Sequence, residues 1–144
     1  MRASIACSIV LISAVSFGCK TPRSSLPAWS KTPSGLGVVD LVAGEGPSPV
    51  LGQVCVVESM GWIEENGGKG RVFLDTRKRG FPDIFPLGVS RVIKGWDEGI
   101  ASMKKGGKRL LRVPPGLGYS PQEAGKDIPP EATLIFELEL IDLR

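Results

Sequence analysis

A single stretch of this chain repeats its apolar residues at the helical period, and that limits the fold to one built mainly from strands. Val92, Ile93, Trp96, Ile100 and Met103 recur at offsets of three and four, which sets them on one helix face. Gly106-Gly107 follows closely as a stop signal. Elsewhere the apolar runs are short, β-branched and closed by Gly or Pro, as in Val38–Val42, Gln53–Val57 and Arg109–Val113, the pattern of strands. Turn chemistry fills Gly44–Pro49. The run Glu64-Glu65-Asn66-Gly67-Gly68 separates Gly61-Trp62-Ile63 from Arg71–Leu74, so a β-connection with a modest loop is expected there. The segment Thr133–Leu143 alternates, with Leu134, Phe136, Leu138 and Leu140 directed to a core and Glu137, Glu139 and Ile141 away from it. The expectation is an α+β domain in which an antiparallel sheet packs one face on one short helix.

With 144 residues, 42% hydrophobic and 23% charged, the chain has room for one domain and no second. A net charge of +3 is too small for a nucleic-acid partner, and Lys104-Lys105 and Lys108-Arg109 read as a solvated turn and strand edge. The sequence contains no histidine, which excludes Ser-His-Asp and Cys-His triads and His-based zinc sites. Cys7, Cys19 and Cys55 form no CxxC pair and have no metal-ligand spacing. Neither a metal nor a cofactor is expected.

The N-terminus has the composition of an export signal. Met1-Arg2 supplies a positive start, and Ile5 to Phe17 is an apolar stretch too short for a stable membrane span. It ends at Ser16-Phe17-Gly18-Cys19, which resembles a lipobox, although that pattern usually has Leu three residues before the cysteine and a residue smaller than Phe next. Residues 1–19 are therefore expected to be a signal peptide, with Cys19 lipidated and the protein membrane-anchored, facing the periplasm or the cell exterior. The alternative is ordinary cleavage near Ala14 to Gly18, giving a soluble periplasmic protein. Residues 20–37, rich in Pro, Ser and basic residues, are expected to form a flexible tether, with Trp29 free or tucked against a domain spanning 38–144.

Several blocks, in order, resemble the FKBP-type peptidyl-prolyl cis-trans isomerases. Val92-Ile-Lys-Gly-Trp-Asp-Glu-Gly-Ile100 resembles the helix motif of that family. Ile128-Pro-Pro-Glu-Ala-Thr-Leu-Ile-Phe-Glu-Leu-Glu-Leu-Ile141 resembles its closing loop and last strand. Cys55-Val-Val, Gly61, Phe85-Pro-Leu-Gly88 and Tyr119 fall at compatible spacings. The resemblance covers about residues 44 to 143 and implies a five- or six-stranded antiparallel sheet wrapped around a short helix. It also implies proline-containing polypeptides as substrates, macrolides as inhibitors, folding of exported proteins as the role, and a monomer. The chemistry tolerates the absence of histidine. Twisting a prolyl amide breaks resonance, a barrier of roughly 18–20 kcal/mol, with no proton transfer. An apolar pocket weakens the solvation of the charge-separated planar amide more than that of the twisted one.

The resemblance assigns Trp96 to the floor of the pocket, Val92, Ile93, Ile128 and Phe136 to its lining, and the Tyr119 hydroxyl to a substrate carbonyl. Backbone amides of Ile93 and Ile128 join in positioning. For the aliphatic residues and Phe136, pattern alone favours plain core packing. The family's pocket aspartate follows directly on a pocket phenylalanine, whereas here Phe73-Leu74-Asp75 has one residue between. Phe73 and Asp75 are assigned these roles, Phe73 with a bulge; Val72 or Leu74 as the true neighbour, and Asp75 as a turn residue ahead of Thr76–Gly80, remain open. Phe81 is assigned to a further wall. One departure stands out: where the family has a Tyr bonded to the aspartate, this chain has Ser59. That predicts a wider pocket, a less firmly held carboxylate and weakened activity, or a binding module that retains the fold without useful turnover.

Overall fold

The computed structural model describes residues 26–144; the expected signal peptide, residues 1–19 with Cys19, lies outside the described residues. In chain order the elements are β1 (Ser30–Lys31), β2 (Gly37–Val42), β3 (Val54–Glu65), β4 (Gly68–Asp75), α1 (Thr76–Arg79), β5 (Asp83–Pro86), α2 (Lys94–Ala101), β6 (Lys108–Val113), a 3-10 turn (Pro115–Leu117) and β7 (Leu134–Leu143). The strands form one antiparallel sheet ordered β1-β2-β6-β7-β3-β4, with β5 paired to β3. The expected α+β class is therefore the observed one. The sheet has seven strands where five or six were expected, and the short β1 and β5 are the ones the sequence pattern did not announce.

The long strand β3 joins two runs that the sequence presents separately, Gln53–Val57 and Gly61–Ile63. Its hairpin to β4 closes through Asn66 and Gly67, both at positive φ (51° and 76°), as a two-residue turn matching strand twist requires. In β7 the expected alternation holds: Leu134, Phe136, Leu138 and Leu140 are buried against α2, while Glu137 and Glu139 face outward. There Lys108 of neighbouring β6 meets both, and Lys69 reaches Glu137 from β4, two strands away. Ile135 is also buried, on the outer face, where it pairs with Trp62, itself covered by the Lys69 ammonium 3.9 Å from the ring centroid.

The helix α2 is shorter than the Val92–Met103 period suggests, because Val92 and Ile93 precede its first turn; Ile93 occupies the N-cap position. Its approach to β6 is close. A Cβ at Gly99 would stand 2.5 Å from Leu111 Cδ1, and one at Gly95 would stand 2.9 Å from Val113 Cγ1. These glycines lower the helix onto the sheet and press Trp96 into the concave face. Buried Arg109 secures the other end, donating to the Gly99 carbonyl (2.7 Å), Ser102 Oγ (2.6 Å) and Asp40 Oδ1 (2.6 Å). A cation among the last helix carbonyls also suits the helix dipole.

The expected tether 20–37 requires correction over its described part. Ser30 and Lys31 pair with Val38 and Gly37, Leu36 is fully buried, and half-buried Trp29 lies against Gly37. Burial of these apolar side chains outweighs the Pro/Ser-rich composition around them, so the packed domain begins well before residue 38.

Candidate functional site

The first turn of α2 carries Trp96 to the floor of a cavity of about 370 Å³. Val92 and Ile93 wall it from the turn before the helix, Leu74 from β4, Phe85 from β5, and Tyr119 from the loop after β6. The floor is rigidly backed. Trp96 is 3% exposed, with Phe136 edge-on at 5.3 Å and Phe85 tilted at 5.8 Å between ring centroids. Phe73 stands edge-on to both Phe136 (5.6 Å) and Tyr119 (6.5 Å). The aromatic stack needs Gly61, where a Cβ would lie 2.9 Å from Phe73 Cζ and 3.0 Å from Phe136 Cε1. The buried indole Nε1 of Trp96 has no hydrogen-bond partner among the described residues.

Tyr119 follows the 3-10 turn, and the next turn is closed by the Ser120 amide and hydroxyl, which both donate to Glu123 Oε2 (3.0 and 2.8 Å). Burial raises the Tyr119 phenol above its ordinary range, with the charges of Asp83 and Glu123 adding to the effect. The hydroxyl therefore keeps its proton and remains a donor. Tyr119 also borders a neighbouring cavity of about 300 Å³, lined by Ile128, Pro129 and Leu134 among others.

The polar wall of the Trp96 cavity differs from the expected one. Asp75 is not in it: its Oδ1 accepts from the backbone amides of Arg77 (3.0 Å) and Lys78 (3.2 Å), making it the N-cap of α1. Leu74, directly after Phe73, lines the cavity instead. The carboxylate there is Asp83, from the start of β5. Its Oδ2 accepts from Ser59 Oγ at 2.7 Å, and its Oδ1 accepts from Arg79 Nη2 at 2.6 Å. Ser59 is itself buried and fixed by Thr76, whose hydroxyl accepts from the Ser59 amide (2.9 Å) and donates to the Ser59 carbonyl (3.2 Å).

Of the residues assigned from the sequence, Trp96, Val92, Ile93 and Tyr119 come together around one cavity. Phe136, fully buried, and half-buried Phe73 stand behind the floor and support it. Ile128 lines the neighbouring cavity across Tyr119. Phe81 requires correction: 58% exposed, it stacks against the Arg79 guanidinium (4.3 Å) and lines no wall of the Trp96 cavity. Sequence reasoning missed Asp83 and Arg79. The one local signal was their opposite charge four residues apart, bracketing Gly80, Phe81 and Pro82.

An antiparallel sheet curled on a short helix, with a tryptophan-floored cavity at the helix's N-terminal end, defines the FKBP-like class of domain. The comparisons agree. Residues 46–141 match the family described as FKBP-type peptidyl-prolyl cis-trans isomerase. An FK506-binding protein of Neisseria meningitidis serogroup B is 50% identical over 107 residues, covering 74% of this chain and 94% of the relative. The crystal structure of AtFKBP13 superposes with a TM-score of 0.72 at 41% identity, covering 81% of this chain and 99% of that one. That of FkpA from Escherichia coli gives 0.72 at 35%, covering 82% of this chain and 52% of the other. The chain belongs to the FKBP-type peptidyl-prolyl cis-trans isomerases.

Proposed function

We propose that this chain accelerates cis-trans isomerisation of X-Pro bonds in exported polypeptides, taking the proline ring into the cavity above Trp96 while a lipid on Cys19 holds the domain at a membrane surface. The observation that carries the pocket reading is the convergence of an apolar floor with donors at its rim. Trp96, Ile93 and Phe85 exclude water from the prolyl ring, and Tyr119, whose hydroxyl keeps its proton, lines the same space. The Ile93 amide, ahead of the first helical turn, makes no hydrogen bond to another described residue, which supports a role for it as donor to a substrate carbonyl. Desolvation of the planar amide then lowers the twisting barrier, and the donors hold the flanking backbone in a turn. FK506-type macrolides would occupy the same cavity and compete with peptide.

The test is refolding of an exported protein whose slow phase is a prolyl isomerisation. Catalytic amounts of the chain should speed that phase, a macrolide should cancel the effect, and a slow phase that ignores the protein contradicts the proposal. The small Ser59 side chain in place of an aromatic wall favours a second reading, a module that binds proline segments with little turnover. Stoichiometric macrolide binding by a protein inert in that assay would select it.

A further inference from the structure

The pocket carboxylate reaches its position from a different strand than the sequence predicted. Asp83 opens β5, opposite Val57 of β3, and its side chain, 23% exposed, borders the same cavity as Leu74, Trp96 and Tyr119. Both its oxygens are engaged, one by Ser59 and one by Arg79. A charge-assisted hydrogen bond on one side and a buried hydroxyl on the other leave little rotational freedom. Arg79 is held in turn by its second contact, to the Phe81 carbonyl (3.3 Å). An ion pair serving stability alone has no need to face the cavity, whereas this one does, and its charge acts on the Tyr119 phenol.

We propose that Asp83 is the positioning carboxylate of this active site, held by Ser59 and Arg79, and that it does from β5 what a carboxylate directly after Phe73 would do from β4. Ser59 is then a holder matched to the relocated group: its short side chain meets Asp83 where a longer tyrosine would overrun it. Asp83 acts from the cavity's polar wall, beside Leu74 and Tyr119, where its fixed carboxylate sets a negative charge and a hydrogen-bond acceptor against the bound prolyl segment. The inference rests on the isomerase reading of the cavity.

The experiment measures kcat and KM separately for an X-Pro peptide, together with thermal stability, in three full-chain proteins: Asp83→Asn, Asp83→Leu, and Asp83→Leu combined with Leu74→Asp. Asp83→Asn keeps size and hydrogen bonding but removes the charge. It should lower kcat about tenfold with KM changed less than about twofold and melting nearly unchanged, the pattern of a group acting in the transition state. Asp83→Leu should be at least as poor. Adding Leu74→Asp returns a carboxylate to the cavity from β4 and should recover much of the lost kcat, a rescue that a structural ion pair does not predict. A folded Asp83→Asn protein with wild-type kcat, or a folded double variant no better than Asp83→Leu, overturns the inference while leaving the isomerase reading intact. An inactive wild-type protein overturns both.

Discussion

At the scale of single residues, the carboxylate that borders the cavity is Asp83 and not the aspartate the sequence suggested. Asp75 lies closest to the expected spacing from Phe73, yet its carboxylate is consumed by two backbone amides at the start of α1. Asn caps a helix about as well as Asp, so Asp75→Asn should leave both melting temperature and peptide turnover at wild-type levels; loss of turnover would return Asp75 to the site. The spacing hid this because a position after a strand end does not say which way a side chain turns, and Asp83 acquires its place only through pairing with β3. Tyr119 was readable from its block, and it is the only tyrosine in the sequence, so phenolate absorbance titrates it alone. Its folded pKa is raised, hence the folded state holds the proton more tightly than the unfolded chain. That stability is fully present below about pH 10, the unfolded value, and is lost as pH climbs through the folded one. Tyr119→Phe should therefore flatten the alkaline fall in melting temperature, change neutral stability little, and lower turnover severalfold. A titration at the ordinary tyrosine pKa would contradict the buried placement.

At the scale of elements, strictly periodic segments were legible and short ones were not. The strand β7 announces itself through Leu134, Phe136, Leu138 and Leu140, because alternation over a long run has one geometric solution. Neither β5, a four-residue edge strand containing Asp and Pro, nor α1, a single turn ended by Gly80 in the left-handed region, has enough residues to show a period. Trp96, Phe136 and Phe73 tie α2, β7 and β4 into one aromatic unit under the cavity. Phe136→Ala should cost roughly 3–5 kcal/mol of stability and take turnover with it, measured by denaturant unfolding beside the peptide assay. The helix-to-sheet approach can be probed separately. Gly99→Ala would drive a methyl group into buried Leu111, and about 1–3 kcal/mol of destabilisation is expected from such overpacking. An unchanged midpoint would show that α2 sits further from β6 than described.

At the scale of the whole molecule, the fold class was readable because a chain with one helical period and many short strands can cover its helix only with a curled sheet. The polar half of the site was not, since it depends on contacts between β3, α1 and β5 that no local pattern encodes. Cys55 marks the interior: it is fully buried, and burial followed by the charge of Asp97 raises its thiol pKa, so native protein should resist thiol reagents that label it at once in denaturant. Anchoring rests on the N-terminal sequence, with acylation of Cys19 as its mass-spectrometric signature; an unmodified mature terminus elsewhere would remove the lipid from the proposal. The central claim, that the Trp96 cavity turns over prolyl bonds, is tested most directly by the cis-to-trans rate of a short X-Pro peptide in a protease-coupled assay, with and without an FK506-type macrolide. The predicted result is acceleration proportional to protein concentration and abolished by one equivalent of macrolide. An uncatalysed rate in the presence of folded, macrolide-binding protein would contradict it.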